Sequence, residues 1–171
     1  LLESVEKGTQ YSRYSFLGIK PTKIISHRNN KTTIIENGNK KNTDIPFVQV
    51  LENISNLYKI PDINDIPNFT GGLVGFLGYE TISWFEDIPI HNTDENKLPD
   101  SVFMLYEDMV AFDHLKGQII VFSNVNVNKK KDLKIQFKRA RDRINAIGAL
   151  LHNDIDYQTP KKVESSQLHS N

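Results

Sequence analysis

The chain has 171 residues, 21 basic and 21 acidic side chains, five histidines and no cysteine. That length fits roughly one domain of ~100–150 residues and suffices to bury a core without covalent staples. The missing cysteines exclude disulfides, thiol nucleophiles, zinc ribbons and iron–sulfur sites, and fit a reducing compartment.

The opening Leu1-Leu2-Glu3-Ser4 lacks the basic start of a signal peptide, and no apolar run reaches the ~20 residues of a membrane span. It also lacks an initiator Met and starts inside patterned sequence, so the chain reads as a piece of a longer one. Residues 1–4 and the aromatic run 14–19 are predicted strands. Residues 22–27 and 31–36 flank Arg28-Asn29-Asn30 and predict a hairpin. In residues 46–58 the period changes: Phe47, Leu51, Ile54 and Tyr58 share one face of a helix, with Pro46 in its first turn.

Residues 61–67 are a Pro-bounded connector, and residues 70–79 are apolar and rich in glycine. A polar, acidic loop over 89–99 follows. Residues 101–113 and 118–127 are strand-like runs joined by His114-Leu115-Lys116-Gly117, a second hairpin. Residues 129–152 carry a single apolar stripe, Leu133, Phe137, Ala140, Ile144, Ile147 and Leu151, and predict a long helix that buries it. Strands and helices do not alternate strictly. The expected class is therefore α+β, a mostly antiparallel sheet with helices packed on it.

Most chemistry-bearing residue types have a plain structural reading. Gly71, Gly72, Gly75 and Gly78 match neither a dinucleotide fingerprint nor a phosphate loop, so they are expected to admit a close neighbour. The histidines at 27, 91, 114, 152 and 169 have no helical partners and read as surface or turn residues. Residues 80–108 hold eight acids and one base, a solvated charge run. Residues 129–143 hold eight bases and two acids, but no aromatics interleave for stacking on bases, so no nucleic-acid partner is expected. The acidic stretch is expected to neutralise the basic helix face internally.

Leu1 to Ser4 and Arg13-Tyr14-Ser15-Phe16 form the most informative pair. Two adjacent strands would bring a carboxylate, a hydroxyl, a guanidinium and an aromatic ring together, the mixture an amino-acid ligand needs. The structural alternative is an edge ion pair between Glu3 and Arg13.

At these residues the sequence resembles a known family. The segments LLESVEKGTQYSRYSFLGIKP (1–21), FTGGLVGFLGYETISWFEDIP (69–89) and LPDSVFMLYEDMVAFDHLKGQIIV (98–121) resemble, in order, anthranilate synthase component I, a chorismate-utilising enzyme. The resemblance implies the family's amino-terminal domain over 1–152, one half of a layered α/β/β/α fold. An interdomain linker over 153–171 would then precede the catalytic domain.

It further implies a cytoplasmic lyase that makes anthranilate and pyruvate from chorismate and ammonia in tryptophan biosynthesis. A glutamine amidotransferase subunit would supply the ammonia. Chorismate and Mg²⁺ would be held by the carboxyl-terminal domain, so no catalytic or metal residue is assigned here. The implied feedback site for L-tryptophan maps onto Leu2, Glu3, Ser4 and Tyr14. The glycine segment and Trp84-Phe85 then read as packing. The alternatives are aminodeoxychorismate synthase component I and a freestanding amino-acid-binding module.

Overall fold

A computed structural model of the chain describes residues 1–3, 13–59, 61, 63–64, 66–89, 98–127 and 132–153. The described residues form two antiparallel sheets and two α-helices, the expected α+β class. The smaller sheet has the order β1 (Tyr14–Ile19), β7 (Asp108–Asp113), β8 (Gln118–Ser123). The larger runs β4 (Asn39–Thr43), β3 (Lys31–Glu36), β2 (Lys23–Arg28), β6 (Ser101–Tyr106), β5 (Gly72–Leu77).

Turn chemistry sets the local pairings. Asn29 and Asn30 both take positive φ, 50° and 58°, which gives the β2–β3 hairpin the twist its strands need. Asn37 and Gly38, at 51° and 79°, repeat the device between β3 and β4. The sequence reading does not anticipate β4. Its residues, Asn39-Lys40-Lys41-Asn42-Thr43, have no apolar alternation, and only Thr43 is β-branched. As the outermost strand it is solvated, and its lysines suit an edge that must not recruit another chain.

The segment expected as one strand over 101–113 is two. The chain leaves β6 in the larger sheet, passes Glu107 and enters β7 in the smaller one. The second hairpin is β7–β8, closed by residues 114–117 with Gly117 at φ 62°.

Helix α1 (Phe47–Leu57) buries Phe47, Val50 and Ile54 against Ile25 and Leu105 of the larger sheet. Leu51, Tyr58, Trp84 and Phe103 pack around this core. The expected helical face is present, with Val50 added to it. Trp84 ends a 3-10 segment (Tyr79–Trp84), and its ring lies 5.7 Å from Phe47 and 4.9 Å from His27. Trp84 is thus a packing residue, as read, whereas Phe85 is exposed.

His27 departs from the surface reading. It is buried on β2, with Nδ1 3.0 Å from Thr32 Oγ1. His114 and His152 are exposed, and His91 and His169 lie outside the described residues.

Helix α2 (Leu133–His152) starts at Asp132, whose side chain accepts a hydrogen bond from Lys134 N at 2.9 Å. It packs on β8 through Ala140 and Ile147. The expected fully buried stripe is not formed: Phe137 is 67% exposed and Leu133 58%. Apolar spacing marks the face, but three strands cover only the middle of a 20-residue helix. Arg143 fastens that middle. Its Nε donates to Asp108 Oδ1 at 2.9 Å and to Ser123 Oγ at 3.0 Å, and Nη2 donates to the Asn124 carbonyl at 2.9 Å. This bridge realises one link of the expected neutralisation. The acidic residues 94 and 95 lie outside the described residues.

Gly75 bears out the packing reading of the glycine run. A Cβ there would run into the Val102 carbonyl oxygen and stand 2.6 Å from Phe103 Cα. Both are backbone atoms of the neighbouring strand and cannot swing aside. Gly148 of α2 has open space around it. Gly75→Ala is expected to destabilise the fold by about 3 kcal/mol, the upper end of overpacking costs. Gly148→Ala is expected to stabilise it by about 1 kcal/mol through helix propensity. Denaturant unfolding of both variants checks this pair of opposite signs.

Candidate functional site

Strand β1 pairs with β7 on one side and meets the start of the chain on the other. Leu2 N donates to the Phe16 carbonyl at 2.8 Å, and Phe16 N returns a bond to the Leu2 carbonyl at 2.9 Å. The expected adjacency of the two segments is therefore present. Alternation along β1 turns Tyr14 and Phe16 to the same face, and their ring centroids lie 5.9 Å apart. Phe16 meets Phe69 edge-to-face at 5.5 Å, a favoured aromatic geometry.

Beside these rings lies a wide-mouthed cavity, largely open to solvent, of about 450 Å³, lined by Leu2, Phe16, Phe69, Leu73, Val74, Gly75 and Phe103. Phe16 comes from the smaller sheet, and Leu73, Val74, Gly75 and Phe103 come from the larger. The cavity thus sits where the two sheets diverge, and its size falls within the ~300–1,000 Å³ of small-molecule sites. Its walls are aromatic and aliphatic.

Of the four residues assigned to a ligand, Leu2 and Tyr14 converge on Phe16. Glu3 is exposed, one residue past the Leu2 bridge. Ser4 lies outside the described residues. Phe69, Leu73 and Phe103 were not among the expected site residues. Phe69 directly precedes the glycine run, but nothing local to it signals that it faces Phe16.

The Glu3–Arg13 ion pair is replaced by a stronger one. Arg13 donates through Nε to Asp113 Oδ1 at 3.0 Å and through Nη2 to Oδ2 at 2.7 Å, a two-pronged bridge between β1 and β7. Asp113 is 1% exposed and also accepts from the backbone N–H groups of Leu115 and Lys116, both at 3.1 Å. The Arg13 guanidinium carbon lies 4.8 Å from the Tyr14 ring centroid, a cation–π contact. Beside it Ser15 Oγ and His114 Nε2 are 2.7 Å apart. Asp113 thus orients Arg13, and Arg13 covers one face of Tyr14.

Among the described residues no group of three or more His, Asp or Glu side chains could hold a metal ion. Nor is any helix among these residues long and apolar enough to cross a membrane.

The family model for chorismate binding enzymes matches residues 1–169, and the chain belongs to that family. Among curated relatives, anthranilate synthase component 1 of Acetivibrio thermocellus is 33% identical over 172 residues, covering 100% of this chain and 34% of the relative. The protein of the same name in Neisseria meningitidis is 32% identical over 86% of this chain and 30% of the relative. Anthranilate synthase alpha subunit 2 of Arabidopsis thaliana is 30% identical over 94% of this chain and 27% of its own. The crystal structure of anthranilate synthase component I from Streptococcus pneumoniae superposes with a TM-score of 0.67 at 25% identity. That match covers 90% of this chain and 32% of the other. The chain spans about a third of the length of the curated relatives it matches.

The Arg13 bridge has an acid signature. The hydrogen bond from Arg13 holds the Asp113 carboxyl at about 2; burial opposes this, and the Lys116 and Leu115 N–H groups and the Arg13 charge reinforce it. A depressed carboxylate stabilises the fold fully above the ~3.9 of free Asp. That stabilisation is lost as pH falls through about 2. Acid unfolding followed by circular dichroism is expected to show a limb in this window, which Asp113→Asn removes.

Proposed function

We propose that this chain is part of an anthranilate synthase component I and carries residues of its L-tryptophan feedback site. The observation that carries the reading is the Phe16 cavity. An indole needs flat aromatic walls and an apolar floor, and Phe16, Phe69, Phe103 and Leu73 provide both. An amino-acid head needs a carboxylate for its ammonium and donors for its carboxylate. Glu3 follows Leu2 beside that cavity, Ser4 is the next residue in the sequence, and Tyr14 adjoins Phe16. The names of the relatives support the enzyme assignment.

On this reading the full-length enzyme converts chorismate, with ammonia released from glutamine by a partner subunit, to anthranilate and pyruvate in the cytoplasm. The chemistry lies outside this chain. Residues 1–152 form the regulatory domain and 153–171 connect it onward to the domain that binds chorismate and Mg²⁺. Tryptophan favours a less active arrangement by binding it more tightly than the active one.

Two outcomes are expected from the full-length enzyme. Ser4→Phe, which replaces a small hydroxyl at the implied effector contact with a bulky ring, weakens tryptophan inhibition at least tenfold and leaves kcat within twofold of wild type; unchanged inhibition removes Ser4 from the site. Chromatography of the product shows anthranilate, and 4-amino-4-deoxychorismate in its place would assign the chain to the folate-pathway relative.

A further inference from the structure

A second cleft, of about 610 Å³, opens where β5 begins and β6 and β8 end, beside the last turn of α1, and it shares no lining residue with the Phe16 cavity. Its walls include Leu57, Tyr58, Gly72, Leu105, Glu107 and Val127. Leu57 and Val127 are 73% and 65% exposed, so apolar surface lies open at its mouth.

Among the described residues the charges around the cleft pair off, except for Lys59 and Glu107. Lys23 bridges Glu36 across the β2–β3 ladder, and Arg143 bridges Asp108. Lys59 also lines the cleft. It stands just past the carbonyl end of α1, whose last turn holds no basic residue, and a cation is favoured there. Glu107 remains. Among the described residues its carboxylate has neither an ion-pair partner nor a hydrogen bond, and the cleft half-buries it. Burial, the largest influence, raises its pKa against the pull of Arg143 and Lys23. An unpartnered, half-buried carboxylate costs the fold stability. Such a group is characteristic of a site that awaits a counter-ion.

We infer that this cleft binds a small organic cation, an ammonium group on an apolar body, with Glu107 as its counter-ion. The apolar body lies against Leu57, Tyr58 and Val127, and the ammonium reaches Glu107. This site is distinct from the proposed tryptophan site and does not depend on it.

Calorimetric titration of the full-length protein with cyclohexylmethylamine, and with cyclohexylmethanol as its neutral counterpart, tests the inference. The amine is expected to bind at least tenfold more tightly than the alcohol at pH 7.5. Its affinity falls as pH is lowered through the titration of Glu107, above the ~4.3 of a free glutamate. Glu107→Gln keeps the shape and removes the buried charge. It is expected to raise the melting temperature while weakening the amine at least tenfold. Leu57→Lys, at an exposed position, places a competing ammonium at the mouth and weakens the amine similarly. Ser4→Phe leaves amine binding unchanged. Equal binding of amine and alcohol, or full amine affinity in Glu107→Gln or in Leu57→Lys, overturns the inference, as does loss of the amine in Ser4→Phe.

Discussion

A single residue, Glu107, separates β6 from β7, yet the two strands belong to different sheets. Every feature of interest depends on that crossing. It is held by hydrogen bonds to backbone carbonyls: Asn124 N and side-chain Nδ2 donate to the Glu107 carbonyl at 2.8 and 3.2 Å, and Thr22 N donates to the Leu105 carbonyl at 2.8 Å. On the β1 side the crossing demands glycine, because a Cβ on Gly18 would stand 2.6 Å from the Tyr106 ring. The sheets part from this seam. One opening becomes the Phe16 cavity; the other, beside the end of α1, is the Glu107 cleft.

The two openings differ in what they have to offer a ligand. The Phe16 cavity is apolar and aromatic, so its attraction is area removed from water, about 25 cal/mol for each Å². On the proposed reading, polar selection there falls to Glu3 and Tyr14 beside it. Arg13 does not reach for the ligand; it is committed to Asp113 and braces Tyr14 from β7. The proposed feedback works by linkage: tryptophan shifts the enzyme only by its difference in affinity between two arrangements. A cavity between two sheets is suited to that task, since any change in their separation changes its walls.

How much of this was legible in the sequence depends on how local each signal is. Helix α1 and the β2–β3 hairpin announce themselves through spacing and turn residues within a dozen positions. The adjacency of Leu2 and Phe16 was also legible, because two short patterned runs lie close in sequence. Strand β4 was not, because an edge strand needs no apolar face. The break at Glu107 was hidden by strand-like residues on both sides of it. The partner of Arg13 was unreadable at a separation of 100 residues, and a nearby Glu3 stood in for it. Phe137 lies on the predicted stripe of α2 and is nonetheless exposed, because periodicity names a face without saying how far it is covered. The aromatic wall of the cavity, Phe69 against Phe16, rests on another such distant pairing.

The central claim is that the space between the sheets is an amino-acid effector site. A crystal structure of the full-length protein grown with saturating L-tryptophan tests it most directly. The account predicts the indole against Phe16 and Phe69, with the ammonium and carboxylate beside Leu2 and Glu3. Tryptophan bound elsewhere, with this cavity empty, would contradict it.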